Sequence, residues 1–161
     1  IWRNMGGCLA PMNAYLNIIG METLGLRMER VCNNAFRLAQ ALEKLEGVSV
    51  NYPLLESSPY HELAEKQLSG KGGAILTIRA GSKERAYKLI NHLKYVKIAT
   101  NIGDVRTLVI HPASTIYIHS TPEAMAEAGV YDDTIRISVG IEDIKDLIRD
   151  FTEAVESLGE E

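Results

Sequence analysis

The apolar residues between about Leu9 and Leu45 recur every three or four positions, which is the period of an α-helix. They form two stripes, which consist of Leu9, Met12, Leu16 and Ile19, and of Ala35, Leu38, Leu42 and Leu45. A helix of this length far exceeds the globular average of about 11–12 residues. Gly20 and Gly25 lie inside it, and a glycine within a helix costs about 1 kcal/mol relative to alanine. We therefore expect one long helix that is bent or broken around residues 20–26.

This helix determines the domain organisation that we predict. On its own it would expose much of its apolar face, so it is typical of a segment that bridges two folded bodies. Gly47 stands where a C-terminal glycine cap is expected. The sequence thus predicts two parts, with residues 1–46 as a long, bent interdomain helix and residues 47–161 as a compact domain.

Short strands and helices alternate irregularly in the compact part. Period-two alternation predicts strands at residues 48–52, 74–78, 96–99, 108–110 and 134–139. Capping residues and helical periodicity predict helices at residues 58–68, 82–93 and 121–129, and an amphipathic closing helix over residues 144–158. Because strict βαβ alternation is absent, we predict an α+β fold: a small, mostly antiparallel sheet covered by helices on one face.

Composition and charge argue against several classes of partner. The chain has 161 residues and a net charge of −4, with acids and bases interspersed, which favours neither a nucleic-acid nor an anionic-membrane partner. No apolar run reaches the roughly 18 residues that cross a bilayer. Cys8 and Cys32 lack CxxC spacing, so we expect neither a disulfide framework nor a zinc site, and a reducing, cytoplasmic location. The chain starts at Ile1 instead of methionine, so we expect a piece of a longer protein.

Arg136 lies in the middle of the last predicted strand and is a candidate binding residue. Alternation places Ile135 and Ile137 on one face of that strand, and Arg136 on the other. One interpretation is an ordinary solvent-facing arginine. The other is an anion-binding residue, because the rigid guanidinium fork matches a carboxylate or a phosphate in bidentate geometry. The strand pattern alone leaves both interpretations open.

The remaining polar residues give weaker signals. His61, His92, His111 and His119 lack a second ligand at i+4, so surface or capping roles are favoured and we expect no metal site. Phosphate-loop, dinucleotide-binding and nucleophile-elbow motifs are absent from the sequence. Asn101 precedes a glycine turn, which is either a plain hairpin connection or a loop that presents its amide to a ligand.

Several segments together resemble one family. NIGDVRTLVIHPAST (residues 101–115) and IRISVGIEDI (residues 135–144) resemble the Cys/Met-metabolism family of pyridoxal-phosphate enzymes, and within it the O-acetylhomoserine sulfhydrylases. GGCLAPMNAYLNIIGMETLGLRMERVCNNAFRLAQALE (residues 6–43) and VNYPLLESSPYHELAEKQL (residues 50–68) are similar to the interdomain helix of that family and the segment after it. The resemblance covers nearly the entire chain, in order.

This resemblance implies the C-terminal domain of a fold-type I, aminotransferase-like enzyme. The large N-terminal domain, which holds pyridoxal phosphate on a lysine, would then be absent from this chain, together with every catalytic and cofactor-binding residue. The resemblance assigns Arg136 to the α-carboxylate of an amino-acid substrate, O-acetylhomoserine, and places Asn101 beside the same carboxylate. It further implies a homotetramer that converts O-acetylhomoserine and sulfide to homocysteine and acetate.

Other functions remain open from the sequence. Cystathionine γ-synthase and methionine γ-lyase belong to the same family, and the role of Arg136 would serve all three enzymes. A stand-alone module for amino-acid binding or assembly is an alternative from a different class. The chain also departs from its relatives, because Ile116 and Tyr117 stand where many of them have threonine and histidine after PAS-x.

Overall fold

The computed structural model describes residues 6–159, so the predictions for the two chain ends, including the start at Ile1, lie partly outside it. This part of the chain contains six α-helices and five strands. They are α1 (Pro11–Glu22), α2 (Leu24–Leu42), β1 (Ser49–Asn51), α3 (His61–Leu68), β2 (Ile75–Arg79), α4 (Lys83–His92), β3 (Lys97–Ile98), β4 (Leu108–Ile110), α5 (Pro122–Glu127), β5 (Thr134–Ser138) and α6 (Ile144–Glu156). Two short 3₁₀ turns, Pro112–Ser114 and Ser157–Gly159, follow β4 and α6.

The long N-terminal helix is broken, as predicted, within residues 20–26. The break lies at Thr23, whose φ of −104° and ψ of 3° end α1 and begin α2. No residue of α1 is buried, whereas α2 buries one face that includes Leu38 and Leu42. The predicted cap at Gly47 is wrong, because α2 ends at Leu42 and Gly47 lies beyond the turn that follows, with a φ of 85°.

The five strands form one sheet in the order β1-β2-β5-β4-β3. The pairs β1–β2, β2–β5 and β4–β5 are antiparallel, which confirms the prediction of a mostly antiparallel sheet. The pair β3–β4 is parallel. A hairpin joins antiparallel strands only, so the interpretation of the Asn101 turn as a plain hairpin connection is wrong.

Helices α2, α4 and α6 cover one face of the sheet, which we call the covered face. Ile135, Ile137 and Val139 are fully buried in one apolar cluster with Leu38 of α2 and Phe151 of α6. Each such side chain contributes about 1.5–3 kcal/mol when it leaves water. The apolar face of α6 packs against this core. The N-terminus of α6 is capped by the side chain of Asp143.

Local signals in the sequence place most helix starts. Ser82 and Thr121 accept hydrogen bonds from the backbone N–H groups of Arg85 and Ala124, as N-caps do. Helix α3 begins at His61, later than predicted, because the Ser58 hydroxyl accepts a hydrogen bond from the Tyr60 N–H in a preceding turn. Within residues 6–159, no helix combines the length and the apolarity that crossing a membrane requires.

Candidate functional site

Arg136 lies in the central strand of the sheet, on the side opposite to the covered face, which we call the open face. It pairs across the sheet with Thr77 of β2 and Ile110 of β4, so its Cα is fixed from both sides. The side chain is half-buried, and partial burial lowers the pKa of its guanidinium, an effect that nearby Tyr117 opposes. Among the described residues, no carboxylate forms an ion pair with Arg136. A rigid, partly desolvated cation without an acidic partner is suited to bind an anion.

The loop between β3 and β4 brings Asn101 to Arg136. Nη2 of Arg136 donates a hydrogen bond to the Asn101 carbonyl oxygen at 3.4 Å. The Asn101 side chain is exposed, so its amide is free to contact a ligand at the same place. The two residues singled out in the sequence therefore lie together, although 35 positions separate them along the chain.

Alternate residues of β5 and its continuation hold this loop. After Arg136, the hydroxyl of Ser138 accepts a hydrogen bond from the Gly103 N–H at 3.3 Å. The Gly140 N–H then donates to Oγ1 of Thr107 at 3.0 Å. The side chains of residues 136 and 138 project to the same side because a strand has a period of two, and the Gly140 backbone contacts the loop just beyond the end of β5. The open face thus carries a row of polar contacts to one loop.

Gly140 allows this close approach. A Cβ at Gly140 would lie 2.6 Å from the carbonyl carbon of Arg106, 2.5 Å from Oε2 of Glu142, and closer still to the carbonyl oxygen of Val105. Sequence reasoning missed Thr107 and Glu142 as parts of this region. The VG dipeptide at the end of β5 was the available signal, because a glycine there indicates a close backbone approach.

The histidine and hydroxyl groups of the segment after β4 form hydrogen bonds with other groups of this chain. Nε2 of His111 donates to the Asp132 carbonyl oxygen at 2.7 Å, and Nδ1 accepts from the Ser114 N–H at 3.2 Å. The Thr115 hydroxyl donates to the His111 carbonyl oxygen at 2.8 Å. His111 is buried and caps the 3₁₀ turn, which confirms a capping role. In the described part of the chain, no group of three His, Cys, Asp or Glu residues could hold a metal ion.

The lysines of this chain do not fit a covalent cofactor site. A lysine that forms a Schiff base is activated in a desolvated pocket or beside another cation. All eight lysines are exposed, and Lys71 and Lys94 form ion pairs with glutamates. The candidate site that the structure brings together in this chain consists of Arg136 and the Asn101 loop.

The chain belongs to the family of Cys/Met metabolism PLP-dependent enzymes, whose pattern it matches over residues 1–156. It is 46% identical to a homocysteine synthase of Schizosaccharomyces pombe, with 96% of this chain and 36% of that protein covered. It is 42% identical to an L-methionine gamma-lyase of Treponema denticola, with 95% of this chain and 38% of that protein covered.

A solved structure shares the fold. It is a putative O-acetylhomoserine (thiol)-lyase from Campylobacter jejuni that carries N′-pyridoxyl-lysine-5′-monophosphate. The two structures agree with a TM-score of 0.90 at 37% identity, over 96% of this chain and 37% of that one. This chain therefore spans somewhat more than a third of the length of the proteins that it matches.

Proposed function

We propose that this chain is the C-terminal, substrate-binding part of an O-acetylhomoserine sulfhydrylase, which forms homocysteine and acetate from O-acetylhomoserine and sulfide. The observation that carries the proposal is the half-buried guanidinium of Arg136, which lacks an acidic partner in the described structure and lies beside the Asn101 loop. The similarity to a homocysteine synthase and to an O-acetylhomoserine (thiol)-lyase supports the choice of substrate.

In this proposal Arg136 binds the α-carboxylate of the amino acid. A bidentate guanidinium–carboxylate pair fixes both the position and the plane of the carboxylate. Because β5 holds the arginine rigidly, the pair also fixes the rotation of the substrate about its α-carbon and so orients the bond that reacts. The exposed amide of Asn101 would donate a further hydrogen bond to the same carboxylate. Pyridoxal phosphate, when bound, supplies the electron sink for the reaction.

The proposal places the cofactor outside this chain. It rests on the eight exposed lysines and on the short share of each relative that the chain covers. We also propose residues 1–46 as the interdomain connection and residues 47–161 as the C-terminal domain, since α1 buries no residue. Assembly into a homotetramer and a cytoplasmic location complete the proposal, and both rest on the resemblance to the family and on composition.

Methionine γ-lyase activity is the second candidate, because one such enzyme is 42% identical to this chain. The role of Arg136 does not separate the two, since both substrates carry an α-carboxylate. An assay of the full-length protein with O-acetylhomoserine and sulfide, against methionine alone, decides between them. Homocysteine formation in the first assay and little turnover in the second supports the sulfhydrylase.

The substitution Arg136→Ala in the full-length protein tests the binding role. A hydrogen bond to a charged group contributes about 1.5–3 kcal/mol, so we expect KM for the amino acid to rise by about 10- to 150-fold. The absorbance of the bound cofactor should not change. Arg149→Ala is the matched control, because Arg149 is an exposed arginine of α6 that pairs with Asp146. An unchanged KM in the Arg136 variant would refute the assignment.

A further inference from the structure

Glu142 and Thr107 form a paired contact that the proposed binding role does not use. The carboxylate of Glu142 accepts a hydrogen bond from the Thr107 N–H at 2.5 Å and another from the Thr107 hydroxyl at 2.8 Å. The same hydroxyl oxygen accepts the Gly140 N–H at 3.0 Å. Thr107 is fully buried and Glu142 is half-buried. One threonine thus joins the end of the Asn101 loop to the turn that follows β5.

Helix α2 holds that turn from the other side. The amide nitrogen of Asn34 donates to the carbonyl oxygens of Gly140 and Glu142, at 3.0 and 2.9 Å. Nη2 of Arg30 also donates to the Glu142 carbonyl oxygen, at 3.1 Å. Asn34 is fully buried, and its bond to the Gly140 carbonyl oxygen is shielded from competition with water. The backbone that carries Glu142 is therefore held independently of the bonds between Glu142 and the loop.

Apart from the bonds to Glu142, the loop is held near its Thr107 end, where the Ile141 N–H donates to the Val105 carbonyl oxygen and the Arg106 N–H donates to the Asp104 carboxylate, both at 2.9 Å. Asn101, Ile102 and Gly103 are exposed. The contacts of this tip to β5 are the 3.4 Å bond from Arg136 and the 3.3 Å bond to Ser138, both long for their type. At the other end of the loop, the bonds between Thr107 and Glu142 are short and charge-assisted, and such bonds are the stronger ones. The firmly held Thr107 end of the loop therefore determines where the tip, residues 101–103, lies.

We propose that Glu142 and Thr107 are positioning residues for the carboxylate site. With the backbone bond between Ile141 and Val105, they hold residues 105–107 against the end of β5, which places Asn101 next to the guanidinium of Arg136. Neither side chain has to touch the substrate for this role. The inference rests on the proposed function, since it assigns to these residues the geometry of the site that Arg136 and Asn101 form.

Three variants of the full-length protein test the inference. Thr107→Val removes the hydroxyl at nearly constant volume, so Glu142 and the Gly140 N–H each lose a partner. Thr107→Ser keeps the hydroxyl and is the conservative rescue. Glu142→Gln removes the charge while it keeps the shape. Asp143→Asn is the control, because Asp143 is the neighbouring carboxylate and only caps α6, a role that asparagine also fills.

The measurements are KM for the amino acid, kcat, cofactor absorbance and melting temperature for each variant. We expect Thr107→Val and Glu142→Gln to raise KM on the order of tenfold, with a smaller change in kcat and intact cofactor absorbance. Thr107→Ser should restore most of the wild-type KM, and Asp143→Asn should match the wild type.

The outcomes separate this inference from the proposed function. If both variants lower the melting temperature but leave KM unchanged, Glu142 and Thr107 are structural only and the inference is overturned, while a raised KM in Arg136→Ala keeps the proposed function. If Thr107→Ser raises KM as much as Thr107→Val, the hydroxyl is not the group that positions the loop, and the inference again fails. If Arg136→Ala leaves KM unchanged, the carboxylate site and its positioning residues are both refuted.

Discussion

The two faces of the sheet differ in what holds them together. On the covered face, Ile135 and Ile137 are fully buried under α2, α4 and α6, and their contacts are apolar and numerous. On the open face, Arg136 between them is half-buried and makes one long hydrogen bond to a loop. Adjacent residues of one strand therefore have different roles. The covered face supplies most of the apolar core of the domain, and the open face carries Arg136, for which we propose a role in ligand binding.

The strongest test of this difference is Ile137→Ala. Truncation of a fully buried isoleucine removes its transfer free energy and leaves a cavity, which together cost about 2–5 kcal/mol. We expect the melting temperature of the full-length protein to fall clearly. Arg136→Ala, the neighbouring substitution on the open face, should change it little. A comparable loss of stability in both variants would remove the distinction between the two faces.

Gly140→Ala should come second, because Gly140 lies just beyond β5, where residues 105 and 106 approach the backbone closely. The new Cβ would meet the backbone of Val105 and Arg106, which has to shift. Overpacking of this kind costs about 1–3 kcal/mol. We expect a lower melting temperature together with a higher KM for the amino acid, since the displaced segment continues into the Asn101 loop. Steady-state kinetics and a thermal melt of the same preparation measure both effects. A change in stability without any change in KM would contradict the inferred coupling between Gly140 and the Asn101 loop.

Glu153→Gln should have the smallest effect on stability, because Glu153 lies on the exposed side of α6. The hydrogen bond and the charge of Lys94 lower the pKa of Glu153, and Glu153 in turn raises the pKa of Lys94. A carboxylate with a depressed pKa stabilises the fold above its unfolded pKa, and the contribution is lost as pH falls through the folded pKa. The lysine contribution is lost as pH rises through its own raised pKa.

Thermal melts as a function of pH measure this pair. The wild type should melt slightly higher than Glu153→Gln near neutral pH, and the two proteins should converge in acid. Added salt should reduce the difference because both side chains are largely exposed. A difference that grows as the pH falls would contradict the assignment.

Local patterns predicted most of the fold. The period-two runs gave β2 and β5, and the apolar stripe gave α6, because burial on one face imposes those periods on the sequence. The caps at Ser82 and Thr121 are interactions over three residues, so their signals are local too. The resemblance to the family singled out Arg136 and Asn101, which the strand pattern alone could not distinguish from ordinary surface residues.

Long-range pairing was not predictable from the same patterns. The parallel pairing of β3 with β4 depends on where the loop between them lies, and short apolar runs carry no direction. The bonds of Glu142 to Thr107 span 35 positions, and the VG dipeptide near Glu142 indicates a close backbone approach without indicating that Thr107 is the partner. The end of α2 at Leu42, before Gly47, is a further difference from the prediction, in a helix that packs against β1 and α6.

The most direct measurement is a crystal structure of the full-length protein with the amino-acid substrate or an unreactive analogue bound. The account predicts both carboxylate oxygens within about 2.7–2.9 Å of the Arg136 guanidinium, the distance of a charge-assisted bond, with the Asn101 loop beside them. A carboxylate bound elsewhere, with the Arg136 side chain directed into solvent, would contradict it.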